Sequence, residues 1–103
     1  MNDLEYFRVQ VESLAYKKGF NDDQIWLERC MFKELGELID AVEEGKSEAE
    51  IAEEFSDFMI FALQYMNKKA VSIDLNVALT DKIVKDLSEP KKTYVPGEGI
   101  KRK

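Results

Sequence analysis

The sequence predicts an all-α protein, four helices in a bundle-like domain that is completed by oligomerisation. Apolar residues recur at three- and four-residue intervals along most of the chain, the period of an amphipathic helix. Capping residues and glycines cut that pattern into four segments. No stretch reads as a convincing strand, and there is no internal repeat.

The first helix is expected to open at an Asn2–Glu5 capping box and run to about Lys18, with Gly19 as its stop. Its apolar positions are Leu4, Phe7, Val11, Leu14 and Ala15. Asn21 with Gln24 repeats the cap signal, and the second helix runs through Glu44 to Gly45. Ser47 with Glu50 is a third capping box, opening a helix that continues to about Lys69. Ser72 or Asp74 caps a fourth, Leu75 to about Leu87, which ends before Pro90. The expected domain is 1–90, and 91–103 is a basic C-terminal tail punctuated by Pro96, Gly97 and Gly99.

Composition narrows the class. A chain of 103 residues makes one domain, small enough that self-association helps to bury a core. Hydrophobic residues at 45% beside charged residues at 35% give a globular balance. No run is long enough to span a bilayer, and the opening residues lack the basic start and apolar stretch of a signal peptide. Cys30 stands alone, so there is no internal disulfide, and a reducing cytoplasm is the expected location. Histidine is absent. That excludes His-based zinc sites, Ser-His-Asp and Cys-His nucleophile systems, and the Glu-x-x-His di-iron bundle.

The net charge of −6 hides an asymmetry: seven of the fifteen basic side chains fall after position 81. The acidic body argues against binding a nucleic-acid duplex through its phosphates. A basic end beside acidic helices suits a small anionic ligand, met by a metal on one side and by lysines on the other.

Two pairs of acids interrupt apolar helix faces. Glu34 and Glu37 lie on the second helix, Glu54 and Asp57 on the third, each pair at i, i+3 and so on one side of its helix. At about 100° per residue, Glu34 falls between Cys30 and Ala41 on one flank and Leu27 and Leu38 on the other. Glu54 falls between Phe61 and Tyr65, with Phe58 beside them. Glu34, Glu54 and Asp57 have no Lys or Arg three or four residues away. An ionised carboxylate turned into a core needs a cation. Arg8, Arg29 or Lys33 bridging between helices is one source. A metal is the other, and oxygen-only ligation selects a hard ion, Mg²⁺ or Mn²⁺. By contrast Glu43, Glu44, Glu48 and Glu50 read as a solvated face.

The third helix is apolar nearly all round, from Ile51 and Phe55 through Phe58–Leu63 to Met66. Such a helix is expected to be buried on several sides. Four helices of one short chain do not surround it, so a homodimer or homotetramer is expected, with helices shared across the interface.

These motifs resemble the MazG-like all-α nucleoside triphosphate pyrophosphohydrolases. Lys33-Glu34-Leu35-Gly36-Glu37-Leu38 is similar to that family's first motif, including the Gly between the acids, and Glu53-Glu54-Phe55-Ser56-Asp57-Phe58 to its second. Ile73–Lys82 is similar to the following helix, where a Lys commonly lies near the ligand phosphates. The resemblance covers about Tyr16 to Tyr94. After Lys82 the family often carries an Asn four residues on and an Arg soon after, where this chain has Asp86 and Ser88-Glu89-Pro90-Lys91-Lys92.

The resemblance implies hydrolysis of a (deoxy)nucleoside triphosphate between its α and β phosphates, releasing monophosphate and pyrophosphate. It implies Mg²⁺, or Mn²⁺, held by Glu34, Glu37, Glu54 and Asp57, with Glu34 or Glu53 taking a proton from water. Lys82 and Lys85 would meet phosphate oxygens, and Phe61, with Trp26, the base or ribose. Two alternatives are a pyrophosphohydrolase for another nucleotide, such as phosphoribosyl-ATP, and a non-catalytic helical binding or assembly module.

Overall fold

The structure, a computed structural model, describes residues 3–89. Among them are four helices and no strand: α1 Leu4–Lys18, α2 Gln24–Glu43, α3 Glu48–Lys69 and α4 Leu75–Ser88. None is long and apolar enough to cross a membrane. The expected tail, 91–103, and Asn2 lie outside the described residues.

The helix ends follow capping chemistry, with two shifts from expectation. The α1 cap is Asp3, whose side chain accepts from the Tyr6 amide, and the α2 cap is Asp23, which accepts from Trp26. Asn21 instead accepts from the Asp23 amide at 2.8 Å, shaping the turn before the helix. At both starts an aspartate near the expected residue takes the cap, and its charge suits the positive end of the helix dipole. Ser47 caps α3 as expected: its hydroxyl accepts from the Glu50 amide and donates to the Glu50 carboxylate at 3.0 Å. Asp74 caps α4. Gly19 and Gly45 adopt left-handed φ values of +65° and +69°, which a side chain would strain, and each closes the helix before it.

The short turn around Gly45 folds α3 back along α2, and this pair forms the bulk of the packing. α1 lies against α3. α4 touches only α1. The apolar core is small: Val11, Leu27, Ala41 and Leu63 are its buried members, and Leu27 is wholly enclosed.

A buried arginine ties the helices together. Arg8, only 5% exposed, donates to the Asn67 side chain at 2.8 Å and to the carbonyls of Ala70 and Ile73, where α3 gives way to α4. Asn67 donates in return to the Arg8 carbonyl, and Glu5 pairs with the guanidinium while accepting from the Leu75 amide. Asn76 accepts from the Leu4 amide at 3.1 Å. The first turn of α4 is therefore fixed to the start of α1 by polar contacts.

The expectation that α3 is buried on several sides is corrected within one chain. Leu63 and Gln64 are its buried residues, while Phe55 is half exposed. With α4 drawn to α1, the side of α3 that carries Phe55, Met59 and Ile60 faces a groove beside α1 and is not closed over by any other of the described helices.

Candidate metal centre

Along α2, Leu27, Glu34 and Ala41 are seven residues apart and lie on one line. Leu27 and Ala41 are the buried residues of this helix. Glu34 therefore sits midway along the buried seam, facing α3. On α3, Asp57 and Gln64 share the same seven-residue relation, and Gln64 is buried. The hairpin thus brings both motifs to one place: oxygens of Glu34, Glu54 and Asp57 lie within 4.8 Å of one another.

Electrostatics sharpens the picture. One oxygen of Glu34 and one of Glu54 are shut away from water with no hydrogen-bond partner. Burial, reinforced by the carboxyl of Glu37 and then by Asp57, pushes the Glu34 carboxyl up to about 7. Burial and the charges of Glu37, Asp57 and Glu53 raise Glu54 as well. The side chains are half-buried, and no ion pair joins them to Arg8, Arg29 or Lys33 among the described residues. Lys33, four residues before Glu37, offers only a weak opposing charge to Glu34. Cys30, one turn before Glu34, is held in its thiol form by burial and by the Glu34 charge.

Three carboxylates with two orphaned oxygens form a donor set for a hard divalent cation. Oxygens on opposite sides of a Mg²⁺ ion lie about 4.2 Å apart. The spacing within the cluster is compatible with an ion of that size.

The other expected site residues divide into two groups. Glu37 is exposed at the edge of the cluster, close enough to perturb Glu34 and Glu54 but outside the tight triad. Glu53 is exposed and acts on Glu54 only through its charge. Phe61, one turn after Asp57, stacks on Phe20 at 6.1 Å and meets the edge of Trp26 at 5.8 Å. The two expected aromatics are thus brought together beside the cluster, with Phe20 as a third member that sequence reasoning missed. Its position just after Gly19 marked it only as a loop residue.

Lys82 and Lys85 are not brought to the carboxylates. They sit on α4, which among the described helices packs on α1 alone, and the Lys82 ammonium bonds Asp86 at 2.6 Å. Beyond the cluster, Glu28 accepts from the Tyr65 hydroxyl at 2.9 Å and from Gln24 at 3.0 Å, fastening the start of α2 to the far end of α3. Those bonds hold the Glu28 carboxyl below its usual range and raise the Tyr65 phenol. Compared with known protein families, curated proteins and solved structures, the chain matches none.

Proposed function

We propose that the chain is a Mg²⁺-dependent nucleotide pyrophosphohydrolase, cleaving a (deoxy)nucleoside triphosphate to its monophosphate and pyrophosphate. The observation that carries this reading is the meeting of Glu34 with Glu54 and Asp57 across the α2–α3 seam, with buried, unpartnered oxygens from both helices. The order and spacing of these acids resemble the two motifs of the MazG-like pyrophosphohydrolases.

Mg²⁺, or Mn²⁺, held there supplies charge to neutralise the phosphates and lowers the pKa of an attacking water. Glu34 holds it from α2, Glu54 and Asp57 from α3, and Glu37 adds negative charge at the rim. Hydrolysis breaks the α–β anhydride bond as water oxygen joins phosphorus, and the water gives up a proton. A Glu34 that holds the ion is deprotonated and loses the upward shift of the metal-free cluster. Of the two acids considered for this proton, Glu53, exposed beside Glu54 and outside the triad, is therefore the one left free to accept it. The Phe61–Trp26 pair offers an aromatic wall for a base or ribose. Within one chain this reading gives Lys82 and Lys85 no contact with the phosphates.

That last point favours a second reading, a module that binds metal and nucleotide without turnover. Product analysis on a panel of ribo- and deoxynucleoside triphosphates and phosphoribosyl-ATP, with Mg²⁺ and with EDTA, separates the two. Metal-dependent pyrophosphate release supports the enzyme and names its substrate. Binding without release supports the module.

A further inference from the structure

Where the end of α1 and the loop to α2 meet the last turns of α3 lies a pocket of about 390 Å³. That volume falls within the range of small-molecule sites, about 300–1,000 Å³. Phe20, stacked on Phe61 at 6.1 Å, lines it with Ala15 and the fully enclosed Leu27. Tyr16 stands at its mouth and is 89% exposed, an aromatic side chain that the described fold leaves without cover.

Two amides line this pocket from α3, and they differ. Asn67 is engaged at both ends: its oxygen accepts from Arg8 Nε and its nitrogen donates to the Arg8 carbonyl. Gln64 is only 6% exposed, and its side-chain oxygen has no hydrogen-bond partner. A buried acceptor left unpaired is a cost to the fold that a donor on a ligand removes. The last torsion of a glutamine is soft, so the amide can turn its oxygen to such a ligand. Glu12 and Asp22 add carboxylates at the rim, where the Lys68 ammonium lies 3.9 Å from Asp22. Acceptors predominate among these polar groups, and their complement is a flat ligand rich in N–H donors.

The pocket and the carboxylates lie along one seam. Gln64 follows Asp57 by seven residues on α3, and Leu27 precedes Glu34 by seven on α2, so each pair shares a line of its helix. Seven residues rise about 10 Å, a distance of the order that a nucleotide spans from its α-phosphate to the edge of its base. We propose that the base of the nucleotide enters this pocket, and that Gln64 selects bases bearing an exocyclic amino group over those with a carbonyl in its place. This rests on the reading above that the ligand of the chain is a nucleotide. The amino group of cytosine or adenine presents two N–H donors, enough to meet Gln64 and a rim carboxylate together. Uracil and hypoxanthine present a ring N–H flanked by carbonyl oxygen, which the carboxylates repel.

The test uses pairs of substrates that differ at that group, dCTP against dUTP and dATP against dITP, followed by pyrophosphate release with Mg²⁺. The amino member of each pair is expected to have a kcat/KM at least about tenfold higher. Gln64→Leu nearly keeps the volume and removes the unpartnered oxygen, so the variant is expected to fold and to bring each ratio within about twofold of unity. Tyr16→Ala, at an exposed position, is expected to raise KM for both members of a pair and leave their ratio unchanged. A second readout needs neither turnover nor a variant. With EDTA present, the NMR signal of the Gln64 side-chain amide in an isotope-labelled chain is expected to shift with dCMP and much less with dUMP. No release from any triphosphate defeats the hydrolase reading alone, and the dCMP titration then decides the pocket. Equal rates within each pair, ratios unmoved by Gln64→Leu, or a Gln64 signal indifferent to dCMP overturn the proposal.

Discussion

Glu34 on α2 and Glu54 on α3 each bury a carboxylate oxygen that no donor reaches, and oxygens of the two come within 4.8 Å. The folded chain therefore concentrates negative charge where the helices are most closely packed. In the absence of a cation that is a liability, and its dependence on pH can be derived. Glu34 titrates near 7 in the folded chain and near 4.5 in the unfolded one. Between those values the folded state binds more protons, so stability falls as pH rises. Below 4.5 the group is protonated in both states and the penalty is gone. Glu54 shifts in the same direction. Asp3 and Glu28, shifted downward, act in more acidic solution and with the opposite sign. In EDTA the melting temperature is expected to be higher at pH 5 than at pH 8, and Mg²⁺ to remove most of the difference. Equal melting temperatures in EDTA contradict this.

Neutralising one acid separates folding from function. Glu34→Gln is expected to raise the metal-free melting temperature at pH 8 and flatten its pH dependence, because the unpaired charge is gone. The same change is expected to reduce pyrophosphate release by at least about 100-fold, since even outer partners of metal ligands are worth 10–100-fold. A variant that is destabilised in EDTA and fully active contradicts both expectations.

Arg8 is a structural counterpart with no part in the proposed chemistry. Its removal leaves the Asn67 side chain and the carbonyls of Ala70 and Ile73 without their donor. Arg8→Ala is expected to destabilise the fold by about 3 kcal/mol, read by urea denaturation. Arg8→Lys recovers only part, because a single ammonium cannot reproduce the planar fork that meets three acceptors.

Gly36, between the two acids of α2, has ordinary helical geometry, and a Cβ there would meet nothing within 4 Å. Within one chain nothing requires glycine. Gly36→Ala is therefore expected to stabilise the protein by about 0.5–1 kcal/mol through helix propensity. A loss of pyrophosphate release in that stabilised variant would mean that a ligand approaches the helix backbone at this point.

The architecture was largely legible because the capping residues and the two left-handed glycines mark each helix end. The carboxylate cluster was legible for a related reason: Glu34 falls on the line joining Leu27 to Ala41, the only way a helix can carry an acid into its own buried seam. Arg8 was legible by the same rule, since it lies between Leu4 and Val11 at i+4 and i+7, but it was weighed only as a partner for the acids. The placement of α4 was not legible. Its stripe from Leu79 to Leu87 says that one face is to be covered, and nothing in α4 says by what. That choice lies with Arg8, Glu5 and Asn76, whose contacts are between elements far apart in the chain. Lys82 and Lys85 were expected to meet phosphate oxygens because the family resemblance puts a Lys of this helix there, yet α4 packs on α1 among the described helices.

The most direct test of the central claim is a titration of wild type and Asp57→Asn with Mn²⁺, followed by electron paramagnetic resonance, with Mg²⁺ as competitor. The account predicts that wild type removes Mn²⁺ from the free signal, that Mg²⁺ displaces it, and that Asp57→Asn binds at least tenfold more weakly while retaining its helices. Equal binding by the two proteins, or none by either, would contradict a metal centre at Glu34, Glu54 and Asp57.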